Sequence, residues 1–323
     1  MKLKELYNFF IEYGIKNDPR GEKEVRDLLK KEQQKYEKLS DKEKKYYDLE
    51  KLKNPYNDTR ILYGDENTEV KNILVGIDME MPEVLLGWIL NQQGKKVDLI
   101  LSHHPEGKGY KNFYEVMGMQ ADILNKFGVP INVAESIMEP RMKEVQRKLM
   151  PLNHNRAVDI AETLGIPFVC CHTPADNCVA TYLQNLFDKK KPKYLGDVVD
   201  ILLEIPEYDY AAKLDSGPNI LVGTKERKAG KIFVDMTGGT EGSTEVFEKL
   251  AISGVSTIVA MHLSEEHYKN AQKYYINVVI AGHIASDSLG LNLMLDAVEK
   301  KFGKLNTICV SGFKRFRHNK SNV

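Results

Sequence analysis

The chain is 323 residues long, which is enough to build two domains of ordinary size. Its 46 Lys and Arg residues balance its 46 Asp and Glu residues, so no excess positive charge is available to hold a nucleic-acid backbone or an anionic membrane. No signal-peptide pattern opens the chain and no run approaches the ~20 apolar residues that span a bilayer, so we expect a cytoplasmic protein with a small-molecule partner.

Residues 1–66 are dense in Lys, Glu, Tyr and Leu at near-helical spacing, and they predict an exposed helical arm. Beyond the arm, short apolar runs alternate with amphipathic segments, which is typical of mostly parallel sheets covered by helices. Strands are predicted at 73–78, 97–101, 130–133, 167–170, 231–234, 256–260 and 276–280. Because a Pro/Gly-bearing stretch at 215–219 marks a junction, we predict an α/β fold with a first lobe over 67–214 and a second lobe over 215–323.

Two adjacent histidines, His103 and His104, follow the second predicted strand, and Pro105 ends that strand. Ligands of open parallel sheets bind at the carboxyl ends of the strands, so polar residues at this place are functional candidates. Neighbouring side chains of a strand face opposite ways, but two imidazoles can meet where the backbone turns. Since the chain has eight histidines, an adjacent pair also arises by chance and does not establish a metal site alone.

A second candidate segment, Cys170-Cys171-His172-Thr173-Pro174-Ala175-Asp176, also follows a short apolar run. Asp176 is either a metal ligand or a residue that stabilises a turn, and His172 either binds a metal or anchors the loop. The adjacent cysteines lack the two-residue gap of a zinc knuckle, so a cysteine site with His172 is the weaker alternative. With Cys178 they indicate free thiols in a reducing compartment.

The third candidate is the pair His283 and Asp287, which follows the last predicted strand and opens a helix. Residues four apart share one helix face, so this pair can hold an ion or simply form a local hydrogen bond. The combined set of candidate metal ligands is His103, His104, Asp176, His283 and Asp287. Mixed nitrogen and oxygen donors suit Zn²⁺, Fe²⁺, Mn²⁺, Co²⁺ or Ni²⁺. Five ligands are too many for one catalytic zinc and suit two divalent ions that share a carboxylate.

Two further segments are candidates for substrate binding and proton transfer. The loop Thr237-Gly238-Gly239-Thr240 lies between a strand and a helix, where its backbone N–H groups either cradle a phosphate or form a tight turn. Glu266 and His267 either move protons during hydrolysis or mark the solvated start of a helix. Neither a dinucleotide-binding motif nor a P-loop is present in the sequence.

Over most of residues 70–315 the chain resembles the Nif-three-like family (NGG-interacting factor three), also known as type-two GTP cyclohydrolase I homologues. The resemblance rests on Asp78 at a strand end, His-His-Pro at 103–105, His-Thr-x-x-Asp at 172–176 and Gly-His at 282–283. It implies two interlocked α/β lobes, a dinuclear metal site on the five candidate ligands, and a homo-oligomer in the form of a toroidal hexamer. The family usually has Glu at the position of Asp287, and the arm has no counterpart in it.

Two functional hypotheses follow from these residues and this resemblance. The first is a metal-dependent hydrolase that acts on a nucleotide or a related small molecule, as a GTP cyclohydrolase does. The second is a non-enzymatic metal-binding regulatory or scaffold protein, in which the ions order the two lobes.

Overall fold

A computed structural model describes residues 1–318, which build two mixed sheets flanked by helices. The first sheet contains β1 (Arg60–Tyr63), β2 (Asn72–Gly76), β3 (Leu99–Ser102), β4 (Phe168–Cys170) and β9 (Asn306–Cys309) in the order β1-β4-β3-β2-β9. The second sheet contains β5 (Asn219–Val222), β6 (Lys231–Asp235), β7 (Val255–Ala260) and β8 (Asn277–Ile280) in the order β5-β8-β7-β6. In each sheet only the edge strand β1 or β5 runs antiparallel to its neighbour. The predicted α/β fold is therefore confirmed.

The helices cover both sheets and fill the space between them. They are α1 (Leu3–Lys16), α2 (Glu22–Glu37), α3 (Asp41–Lys44), α4 (Met81–Gln92), α5 (Gly107–Lys111), α6 (Met119–Lys126), α7 (Ile131–Leu149), α8 (Arg156–Leu164), α9 (Thr173–Lys190), α10 (Leu195–Leu203), α11 (Pro206–Ala212), α12 (Val246–Ile252), α13 (Glu265–Lys273) and α14 (His283–Phe302), with 3-10 turns at Leu49–Leu52 and Phe113–Gly118. No helix within residues 1–318 has the length and apolarity that crossing a bilayer requires.

Two strands join the first sheet from outside the range predicted for the first lobe. β1 comes from the end of the predicted arm and pairs with β4, and β9 comes from the predicted second lobe and pairs with β2. Because the chain returns to its first sheet after building the second, the two lobes are interlocked. The sheets therefore divide the chain differently from the ranges 1–66, 67–214 and 215–323.

The strand predicted at 130–133 is wrong, because these residues open α7. Apolar positions continue after them at Ala134, Ile137 and Met138, which are buried on one side of that helix. A run of two or three apolar residues after a proline does not distinguish a strand from the first turn of a helix, whereas the longer spacing does.

The predicted arm is not exposed throughout. Leu3, Leu6 and Phe10 of α1 are fully buried, and α1 packs against α9 and α14. By contrast, α2 buries only Val25 and presents its charged residues to solvent. The correction for α1 follows from its apolar residues, which recur every three or four positions along one face.

Candidate metal site

The five candidate ligands lie together where the carboxyl ends of the parallel strands of both sheets meet. His103 and His104 follow β3, Asp176 lies in the first turn of α9 after β4, and His283 and Asp287 open α14 after β8. The helices α9 and α14 pack against each other, which joins the two lobes at this point. Residues from three strand ends therefore surround one small volume.

Asp287 is the centre of this arrangement, because its two carboxylate oxygens face different imidazoles. Oδ1 lies 3.4 Å from Nε2 of His103, whereas Oδ2 lies 3.4 Å from Nε2 of His104 and 3.5 Å from Nε2 of His283. On the other side, His103 Nε2 is 3.3 Å from Oδ1 of Asp176. Two donors that are each ~2.1 Å from one tetrahedral ion lie ~3.4 Å apart, so these separations match donors of shared ions better than hydrogen bonds.

Several polar atoms of the cluster are buried and have no hydrogen-bond partner. They are His103 Nε2, Asp176 Oδ1 and both carboxylate oxygens of Asp287. His103 is 0% exposed and Asp287 is 1% exposed, so solvent does not satisfy them either. An unpartnered buried carboxylate is costly, and a cation is the simplest group that would satisfy all four atoms.

Three imidazoles are held through Nδ1, which leaves Nε2 directed at the carboxylates. Nδ1 of His103 donates to the carbonyl of Cys171 at 3.2 Å, and Nδ1 of His104 donates to Asp78 at 2.6 Å. Nδ1 of His172 donates to the buried carboxylate of Asp58 at 2.8 Å. An imidazole that is fixed in this way presents a bare Nε2, which is the usual arrangement of a metal-binding histidine and its outer partner.

The buried carboxylates shift the pKa values of the imidazoles around them. Burial alone would lower the pKa of His103, but Asp287 and Asp176 raise it to about 10. Burial likewise disfavours the charged form of His104, yet Asp287 and Asp78 raise its pKa to about 9. Although burial would raise the pKa of Asp287, the imidazoles of His103 and His104 hold it far below its usual range. The buried carboxylates therefore strongly favour positive charge beside them.

His172 also belongs to the cluster, although it was not one of the five candidate ligands. Asp58, which was not predicted at all, holds the imidazole of His172. Nε2 of His172 is 3.7 Å from Asp176, and donor atoms of His103, His104 and His172 lie within 4.8 Å of one another. The spacing His172-x-x-x-Asp176 repeats the spacing His283-x-x-x-Asp287, and each pair follows a parallel strand beside an antiparallel edge strand. That shared spacing was the available signal for His172, and no local signal pointed to Asp58.

The cluster lies at the wall of a cavity of about 340 Å³ between the two lobes. The predicted loop contributes Thr237, Gly239 and Thr240 to the lining, whereas Gly238 is not part of it. Gln120 donates from Nε2 to the carbonyls of Gly238 and Thr240, both at 2.7 Å. Gly238 and Gly239 have φ of +93° and +88°, and a Cβ on Gly238 would lie 2.7 Å from Gln120. The glycines therefore serve close packing of the loop on the first lobe.

The two residues predicted to transfer protons, Glu266 and His267, lie in different environments. Glu266 is exposed at the start of α13 and does not line the cavity, whereas His267 lines it and is largely buried. Ser264 lies 2.6 Å from His267 Nδ1, and Nε2 donates to the carbonyl of Gly242 at 3.2 Å, so the imidazole is anchored on the loop. The acid and imidazole that face the cavity together are Glu241 and His262, whose side chains are 3.2 Å apart.

The cysteines are free and take no part in the groups that could hold a metal ion within residues 1–318. Cys170 donates from Sγ to the carbonyl of Asp58 at 3.3 Å. Burial raises the pKa of the Cys170 thiol to about 12, so the thiolate that would bind zinc is disfavoured.

The fold has two interlocked α/β lobes, and a cluster of histidines and aspartates lies between them. These two features are those of a metal-binding protein. Neither a protein-family model nor a curated protein sequence matches the chain. Among solved structures, a NIF3 superfamily protein from Sphaerobacter thermophilus is 25% identical with a TM-score of 0.68, over 80% of this chain and 92% of that chain. HcgD from Methanocaldococcus jannaschii is 16% identical with a TM-score of 0.49, over 78% and 88%. The chain has the NIF3-like fold, which confirms the family resemblance.

Proposed function

We propose that the chain binds two divalent cations and is a metal-dependent hydrolase that acts on a nucleotide or a related small molecule. The observation that supports this most is the set of four unpartnered buried atoms on His103, Asp176 and Asp287. His103, His172, Asp176 and Oδ1 of Asp287 would hold one ion, and His104, His283 and Oδ2 of Asp287 would hold the other. Such ions supply Lewis-acid polarisation and make water acidic enough to attack at neutral pH.

The residues of the chain would position the reactants. The cavity has room for a small molecule beside the cluster, and the aspartates and fixed imidazoles would hold the cations. His262, with Glu241 behind it, lies on the cavity wall with its ring 4.9 Å from that of His283. It is therefore better placed than Glu266 to give a proton to a leaving group at the cluster.

The test is elemental analysis of the full-length protein, followed by turnover of a nucleotide panel by metal-loaded protein. About two ions per chain together with turnover that is lost in His103→Ala would support the hydrolase. Two ions per chain without turnover of any substrate would instead favour the regulatory or scaffold protein. Fewer than one ion per chain after gentle purification would contradict both.

The proposal includes a cytoplasmic homo-oligomer, a hexamer on the model of the family. Light scattering of the purified protein gives the mass of the assembly directly. A monomer of 36.8 kDa at micromolar concentration would contradict this part of the proposal and leave the metal site untouched.

A further inference from the structure

The cavity is lined by many carboxylates and by no lysine or arginine among the described residues. The seven carboxylates belong to Asp78, Glu80, Glu106, Asp176, Asp235, Glu241 and Asp287. Asp176 and Asp287 belong to the cluster of candidate ligands, and Asp78 is bonded to His104. The other four carboxylates shape the space in which a substrate would lie.

Two cations would not reverse this charge. Two divalent ions contribute +4 and the seven carboxylates contribute −7, which leaves −3 when the imidazoles are neutral. The remaining negative charge is spread over both lobes, with Glu80 and Glu106 on the first and Asp235 and Glu241 on the second. An anionic group that extends away from the cations would therefore meet carboxylates.

The cavity also has aromatic and apolar side chains in its walls. Phe113 and Tyr110 contribute aromatic rings with centroids 6.2 Å apart, and Phe113 lies 6.0 Å from the ring of His172. Met236, Met261 and Leu263 of the second lobe also line the cavity. Such walls suit a planar ring, and carboxylates around that ring accept hydrogen bonds from amino groups.

We propose that the cavity binds a planar, amino-bearing heterocycle with little or no negative charge, such as a nucleobase or nucleoside, in preference to a nucleoside triphosphate. This inference rests on the proposed function, because cations held by the buried unpartnered oxygens of Asp287 would lie at one wall of the same cavity. Of the predicted nucleotide substrate, the cavity would therefore recognise the base and not the phosphates.

The test is calorimetric titration of zinc-loaded, full-length protein without added magnesium. Guanosine, adenosine and cytidine are each compared with their own triphosphates, so that base and sugar are matched and only charge differs. At least one nucleoside is expected to bind about tenfold or more tightly than its triphosphate, and added salt is expected to narrow the difference by screening. Triphosphates that bind as tightly as the nucleosides, or no binding of any nucleoside, would overturn the inference.

Asp235→Asn tests the charge of the lining directly, because Asp235 lies outside the cluster. The variant is expected to weaken nucleoside binding about 3- to 10-fold through loss of an acceptor, and to leave triphosphate binding equal or stronger. Glu139→Gln removes the same charge from the outer surface, where Glu139 pairs with Lys143, and it should change neither affinity. Zinc content is measured on every sample. A protein without zinc contradicts the proposed function, whereas a zinc-loaded protein that prefers triphosphates contradicts this inference alone.

Discussion

The carboxylate of Asp58 accepts a hydrogen bond from Nδ1 of His172 at 2.8 Å, although the two residues are 114 positions apart in sequence. The hydroxyl of Thr173 donates to the same oxygen of Asp58 at 2.6 Å, and Asp58 is fully buried. The amino-terminal segment therefore supplies a partner that fixes an imidazole of the cluster. A segment that resembles an appendage in sequence is part of the site.

Asp58→Asn should weaken metal binding by about 10- to 100-fold, because an amide does not hold His172 in the tautomer that presents a bare Nε2. The measurement is metal retained per chain after dialysis against a graded series of chelator concentrations. Asp48→Asn is the matched control, since Asp48 lies on the same segment and pairs with Arg60 and Lys108. It should lower stability but not metal retention. Equal metal loss in both variants would contradict a specific role for Asp58.

Variants of His283 and Asp287 should remove different numbers of ions. His283 lies beside Oδ2 of Asp287. Asp287 itself contacts His283 through Oδ2 and His103 through Oδ1, so it takes part in both proposed ion sites. His283→Ala should therefore reduce the metal content from about two ions per chain towards one, and Asp287→Asn should reduce it towards zero.

Elemental analysis of both variants checks this, with His154→Ala as the control. His154 bonds the carbonyl of Leu149 and lies outside the candidate groups, so its loss should leave the metal content unchanged. If His283→Ala and Asp287→Asn lose the same number of ions, Asp287 does not join two separate sites.

The sequence predicts the interior strands and the five candidate ligands for the same physical reason. Strands that are buried on both faces read as apolar runs, and the polar residues directly after them gather at one edge of the sheet. Thus β3 and β8 were found together with His103 and His283. The edge strands β1, β5 and β9 were not predicted, because they are only four residues long and partly exposed.

Pairings over long distances in the chain could not be predicted from one sequence. Asn57 and Asp58 are residue types that favour turns, and both lie in a turn. The partner of Asp58, however, is His172, which the packing of α9 brings to it. Glu241 directly follows the glycine-rich loop in sequence, and its contact with His262 depends on how β6 and β7 align. Local patterns do not contain this information.

Phe10→Ala should lower the free energy of unfolding by about 3–5 kcal/mol, because Phe10 is fully buried where α1 packs on α9 and α14. Urea unfolding of the metal-free protein measures this without a contribution from bound ions. Tyr46→Ala in the same segment is the control, since Tyr46 is 78% exposed and its loss should change stability by less than about 0.5 kcal/mol. A negligible effect of Phe10→Ala would mean that α1 is a detachable arm after all.

Glu241 makes stability depend on pH through contacts that lie outside the candidate ligands. Burial alone would raise the pKa of its carboxyl, but the hydrogen bond with His262, the nearby His267 and the backbone N–H of Ser264 lower it to about 2. The folded state therefore favours the ionised carboxylate more than the unfolded chain does. Its contribution to stability is complete above the ordinary pKa of about 4.5 and is lost as the pH falls from there towards 2.

Glu241→Gln should accordingly destabilise the metal-free protein by about 1–3 kcal/mol at pH 7, and the difference from the unmodified protein should shrink between pH 4.5 and 2. Gln has no charge to lose, so its stability curve should be flatter over that range. Urea unfolding at pH 7, 4 and 3 gives the three differences. Glu248→Gln is the control, because Glu248 forms a surface ion pair with Lys249, and such pairs contribute little at any pH. If the difference in unfolding free energy between Glu241→Gln and the unmodified protein stays constant from pH 7 to 3, the charge of Glu241 does not stabilise the fold. The side chain would then act through its shape and packing alone.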